Sequence, residues 1–130
     1  MVTSYFLNLI AGSAMHSPSV SLPANYFVAL STTMPAQDGT GFTEVTGGAY
    51  ARGSMGAGSA PSGGVVSNAN DVEFQECTAD WGTVKAFGIY DAANGGNLLM
   101  YDAVTPNQSV VTGNQVRFKP GSLKLTVQAV

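Results

Sequence analysis

Charge is what this sequence has least of. Only 10% of its 130 residues are Asp, Glu, Lys or Arg, against roughly 25% in an average soluble domain. The five basic residues, Arg52, Lys85, Arg117, Lys119 and Lys124, are outnumbered by eight acidic ones. Holding a phosphate backbone takes clustered cations, so a nucleic-acid partner is excluded. Arg117, Lys119 and Lys124 come close together only as solvated positions along two expected strands. The remaining surface falls to Ser, Thr, Asn, Gln, Gly and Ala, which lose water cheaply because few ions must be stripped. Such a surface suits burial in an assembly, and suits equally a monomer with a neutral polar coat.

Cysteine and histidine are scarcer still, one of each, Cys77 and His16. A single cysteine precludes an intrachain disulfide and fits folding in a reducing cytoplasm. One Cys and one His fall short of a zinc ligand set, and a Cys-His nucleophile would have to recruit His16 from an N-terminal link. Cys77 therefore reads as a small buried hydrophobe at a strand end. Asp71, Glu73, Glu76 and Asp80 form an acidic cluster without the Asp-x-Asp-x-Asp-Gly order of a calcium loop, and read as a solvated strand face. Asp91 and Asp102 flank a hairpin. A paired-carboxylate glycosidase would need both in one cleft, whereas Asp91 before a turn ordinarily caps it. Gly53, Gly56 and Gly58 lack the following helix and Lys-Ser/Thr of a phosphate loop. Trp81, Tyr90 and Tyr101 could line a sugar platform, but aromatics more commonly fill cores. The expectation is a non-enzyme with no catalytic residue, metal ligand or cofactor. No apolar run approaches the roughly 18 residues of a membrane span, and no basic residue precedes the apolar N-terminal patch, so neither a membrane partner nor a secretory signal is expected.

What the chain does contain is alternation. Residues 1–24 read as an N-terminal arm. Thr3 or Ser4 can cap a short helix that Gly12 ends, and Tyr5, Phe6, Leu7, Leu9 and Ile10 make it apolar on nearly every side. A helix of two turns does not stand alone, and one this apolar must be buried. Tyr5, Phe6, Leu9 and Ile10 are therefore the candidate anchors to a neighbouring molecule, the alternative being an arm folded back on its own domain. Residues 16–25 read as an extended link between prolines. Residues 25–130 form the second unit. Strands are expected over 25–33, with Tyr26, Val28 and Leu30 on one face, and over 49–53, 71–77, 83–91, 97–104, 109–111, 115–119 and 122–127. Turn-rich loops separate them at 34–48, 54–70 and 92–96. Eight or nine short strands at this spacing predict an all-β fold, an antiparallel β-sandwich of jelly-roll type with a short N-terminal helix or extended arm.

These segments also resemble a family of tailed-bacteriophage virion proteins. The similarity lies in Val28-Ala29-Leu30-Ser31-Thr32-Thr33, Glu44 and Gly47-Gly48-Ala49-Tyr50-Ala51-Arg52. It continues through Asp80-Trp81-Gly82-Thr83-Val84, Phe87-Gly88-Ile89-Tyr90-Asp91-Ala92 and Gly95-Gly96-Asn97-Leu98-Leu99, and closes on Val116-Arg117-Phe118 and Gly121-Ser122-Leu123-Lys124-Leu125. The resemblance implies a structural component of the virion, made in the host cytoplasm. Its first expected role is a capsid decoration or cement protein on the capsid surface, a homo-oligomer (a trimer) docked on the major capsid protein. The alternative is a tail or tail-fibre component involved in host attachment. No enzymatic motif comes with the family.

Overall fold

The computed structural model describes residues 2–16, 25–56, 58, 60, 62 and 65–126. One helix, α1 (Ser4–Ala11), precedes eight strands: β1 (Phe27–Ser31), β2 (Gly53–Ser54), β3 (Val65–Ser67), β4 (Val72–Glu73), β5 (Gly82–Tyr90), β6 (Leu98–Val110), β7 (Arg117–Phe118) and β8 (Lys124–Thr126). Every pairing between these strands is antiparallel. β2, β1, β5 and β6 form one four-stranded sheet, while β3 with β8 and β4 with β7 form two-stranded ribbons. The all-β, antiparallel expectation holds, with the strands gathered into one four-stranded sheet and two ribbons. Residues 49–52 are not strand, and the 71–77 and 115–119 segments shrink to two paired residues each. β6 instead runs on through the segment expected to separate two strands. Of the extended link expected over residues 16–25, residues 17–24 lie outside the described residues, and His16 belongs to a π-helical turn.

The central strands β1 and β5 are buried on both faces. Val28 and Leu30 of β1 and Val84, Phe87 and Ile89 of β5 join the core, with Leu99, Met100 and Val110 of β6. Val72 and Phe74 bring the ribbon side onto them. Ala29, Ser31, Ala86 and Gly88 are also buried, because the 32–45 loop crosses the opposite face. A Cβ on Gly88 would lie 2.7 Å from the Phe42 ring, so only glycine admits that ring. Backbone bonds from Thr32 N–H to the Thr43 carbonyl and from Val45 N–H to the Leu30 carbonyl, both 3.0 Å, pin this loop along β1.

Aromatic rings knit the two sides of the core. Tyr50 meets Trp81 edge-on at 5.3 Å, Phe74 lies 6.3 Å from Trp81 and 6.2 Å from Phe118, and Phe118 meets Phe87 at 5.5 Å. Such edge-to-face pairs add about 0.5–1.5 kcal/mol each beyond the area they bury. Trp81 also donates its indole N–H to the Gly48 carbonyl at 2.8 Å. Trp81 and Tyr101 are both buried, which removes them from any sugar platform. Cys77 is a buried free thiol, 2.8 Å from the Ala79 carbonyl, as expected of a packing residue. No helix among the described residues is long and apolar enough to cross a membrane.

Candidate functional site

The N-terminal arm is tied to the sheet by its own backbone. Val2 bridges to Met100 on the outer edge of β6, and Thr3 N–H donates to the Leu99 carbonyl at 2.9 Å. The buried Thr3 hydroxyl reaches the Leu98 and Leu99 carbonyls at 2.7 and 2.9 Å and accepts from Phe6 N–H at 3.3 Å. Thr3 is thus both the helix N-cap, the position where a hydroxyl satisfies a free amide, and a rivet into the sheet edge. α1 ends at Ala11 with Gly12 as its C-cap, as expected, and the chain then continues into a π-helical turn, Gly12–His16.

This docking sorts the four candidate anchors. Phe6 is 4% exposed within this chain's own core, and Leu9 and Ile10 pack half-buried against it. The arm is folded back on its own domain, and of the four only Tyr5 stays largely exposed, at 43%. The outward apolar residues are ones the sequence reading did not single out: Leu7 at 49%, Met15, and Met34 on the loop whose Gln37 carbonyl accepts from Ser4 N–H.

The best-organised polar constellation is Glu44, Tyr50 and Arg52. Arg52 donates Nε to Glu44 Oε2 and NH2 to Glu44 Oε1, both at 2.8 Å, a bidentate fork. Its NH1 donates to the carbonyls of Ala92 and Gly95 at 2.8 and 2.7 Å. Its guanidinium carbon lies 3.8 Å above the centre of the Tyr90 ring. Tyr50 donates its hydroxyl to Glu44 Oε2 at 2.7 Å while accepting from Leu30 N–H at 3.1 Å. That last bond closes β1's outer edge beyond the short β2. One arginine therefore clasps the 43–52 segment to the hairpin loop after β5.

The electrostatics follow from this burial. Burial, the largest influence on Glu44, pushes its carboxyl up, but the hydrogen bonds from Arg52 and Tyr50 and the Arg52 charge outweigh it and hold the group below its ordinary range. Burial and then the bond to Glu44 drive Tyr50 upward, so its phenol keeps its proton. For Arg52 burial opposes the charged form, and the Glu44 bond and charge more than restore it. Four of the five Arg52 N–H donors are spent on protein oxygens and both Glu44 carboxylate oxygens accept from Arg52, so the constellation acts as a structural clasp. Sequence reasoning quoted Glu44 and the Tyr50-Ala51-Arg52 segment as part of a resemblance but did not pair them. The signal was an acid and a base eight positions apart across a glycine turn, in a chain with very few of either.

The remaining acids serve turns and surface pairs. Asp91 accepts from Asn97 N–H at 2.8 Å and from its side-chain amide at 3.2 Å, closing the hairpin loop as expected. Asp102 accepts from Ala103 N–H and Asp80 from Thr112 N–H. Asp71 and Glu73 lie 3.7 and 4.0 Å from Arg117 on the solvated ribbon, an exposed pairing of small energetic value.

A family model described as podophage GP4 fiber I protein gp80 matches residues 1–126. Among curated proteins, none matches the chain.

Proposed function

Because the chain belongs to the podophage GP4 fiber I protein gp80 family, we propose that this phage structural protein is a building block of a tail fibre and acts by assembly. The observation that carries the reading is the extent of the match, which takes in the arm and nearly all of the β domain. It favours the tail-fibre alternative over capsid decoration, the role first expected from the sequence. The structure is compatible with an assembly role: its best-organised polar group is spent on bracing loops, and Tyr5, Leu7, Met15 and Met34 leave apolar surface around α1.

We further propose that the chain associates with copies of itself through this α1 surface, with Tyr5 as the one member of the expected anchor set still available. Electron microscopy of the virion with the chain located by a specific antibody tests the placement. Label on the tail appendages is the expected outcome. A regular array over the shell would overturn it and restore a decoration role with the major capsid protein as partner.

A further inference from the structure

β5 and β6 do not stay in step. Val84 pairs with Gln108 but Ala86 pairs with Ala103, so Lys85 alone stands opposite the four residues from Val104 to Asn107. Pro106 sits in that excursion, and a proline has no N–H to give a ladder. Beside the excursion, between β6 and the β7 segment, lies a cleft of about 490 Å³, within the usual 300–1,000 Å³ of a small-ligand site. Its floor is core: Leu30, Val84 and Val110, with the half-buried Phe118 at one side.

The walls are neutral and polar. Gln108 and Ser109 come from β6, Asn114 and Gln115 from the facing segment. Backbone bonds tie down the facing wall. Cys77 N–H donates to the Asn114 carbonyl and Gly113 N–H to the Cys77 carbonyl, both at 2.8 Å, and Phe74 N–H donates to the Val116 carbonyl at 2.9 Å. Each wall amide is also pinned by one end, Gln108 through its Nε2, which donates to the Pro106 carbonyl at 3.2 Å. Asn114 Oδ1 accepts from Val111 N–H at 3.1 Å, and Gln115 Nε2 donates to the Phe74 carbonyl at 2.9 Å. What remains is an oriented donor, Asn114 Nδ2, two oriented acceptors, Gln115 Oε1 and Gln108 Oε1, and the Ser109 hydroxyl. Holding them in place in advance lowers the ordering cost of binding. Arg117, the one charged residue of the lining, faces Asp71 and Glu73 at 3.7 and 4.0 Å, so the cleft shows no net preference for an ion.

An apolar floor between paired amide and hydroxyl walls matches a ligand with C–H faces and hydroxyls that both donate and accept. We propose that this cleft binds a neutral oligosaccharide. The inference rests on the fibre reading only for where such a ligand would be met; the binding belongs to the isolated chain. The test is a screen of the purified full chain on an array of neutral and charged oligosaccharides, followed by NMR titration with the best neutral binder. The expected result is binding to neutral sugars, with shifts centred on Ser109, Asn114 and Gln115. Ser109→Ala and Gln108→Ala should weaken it at least fivefold without moving the thermal midpoint. Absence of any neutral binder, shifts centred elsewhere, or unchanged affinity in both variants would overturn the proposal. So would concentration-dependent broadening of the cleft resonances without sugar, which would assign the cleft to a second copy of the chain. None of these outcomes depends on where the protein sits in the virion.

Discussion

Replacing Arg52 removes a charged strut between the 43–52 segment and the 92–96 loop. The Arg52 side chain is 6% exposed and that of Glu44 is 29%. Removing one partner of a fully buried pair costs about 3–5 kcal/mol, and bonds to charged groups contribute about 1.5–3 kcal/mol each. Water can reach Glu44 once the guanidinium is gone, and the Ala92 and Gly95 carbonyls can be hydrated too. The expected cost of Arg52→Ala is therefore about 2–3 kcal/mol, below the fully buried limit. Arg52→Lys keeps the charge but not the fork or the stacking on Tyr90, and should cost about 1–2 kcal/mol. Urea unfolding followed by Trp81 fluorescence is the natural assay, since Trp81 contacts Tyr50 edge-on at 5.3 Å. In a cycle with Glu44→Gln, the coupling should exceed about 1 kcal/mol. If Arg52→Ala moves stability by less than about 0.5 kcal/mol, the range of an ordinary surface change, then the clasp does not hold this end of the domain.

The same clasp predicts an acid limb. Glu44 is held below its ordinary value of 4.5, so its contribution is fully present above that value and is lost as the pH falls through the lower folded value; Glu44→Gln should flatten this limb in acid unfolding curves. Asn68 is buried, its Oδ1 accepting from Leu123 N–H and its Nδ2 donating to the Asn70 and Lys119 carbonyls, all at 2.9 Å. Asn68→Ala should cost about 2–3 kcal/mol by leaving these groups unpaired, and hydrogen exchange at the Leu123 amide should accelerate. A Cβ at Gly48 would stand 2.8 Å from Ala79 N and 2.9 Å from its Cβ, so Gly48→Ala should destabilise by about 1–3 kcal/mol and shift Trp81 emission. Thr3→Val preserves shape but loses the hydroxyl's three contacts; a cost of about 1–2 kcal/mol with faster exchange across residues 4–11 is expected, and unchanged exchange would show that the backbone bonds and packing hold the arm without the hydroxyl.

Strands announced themselves where both faces of the chain had to be chosen. Val28 and Leu30 alternate with small residues, and β1 and β5 fall within a residue or two of the sequence expectation. The failures share one cause. The stretches 71–77 and 115–119 alternate equally well, yet only Val72–Glu73 and Arg117–Phe118 find ladder partners. Alternation reports burial of one face, and burial can be met by packing Phe74 and Cys77 without completing a ladder. β6 erred the other way. Pro106 and its polar neighbours read as a break between strands, but the strand resumes at Gln108 opposite Val84, because a wide irregularity lets an edge strand carry a proline.

The clasp shows why polar sites were harder to read than strands. A hydrophobic pattern is local, whereas Arg52 is defined by partners at residues 44, 90, 92 and 95, brought together only when the hairpin closes on the 43–52 segment. Composition still held a clue. In a chain with five basic residues, most can remain solvated, and Lys85, Arg117, Lys119 and Lys124 are exposed. A cation beside Tyr50 in a glycine-flanked segment is the one that breaks that pattern, and the energetic demand on a buried guanidinium requires an acid and carbonyls to meet it. Low charge then acts in two ways at once. It leaves an easily desolvated surface for neighbours, and it concentrates electrostatic stabilisation in a single junction, so that losing Arg52 should loosen one end of the domain while the arm riveted by Thr3 remains in place.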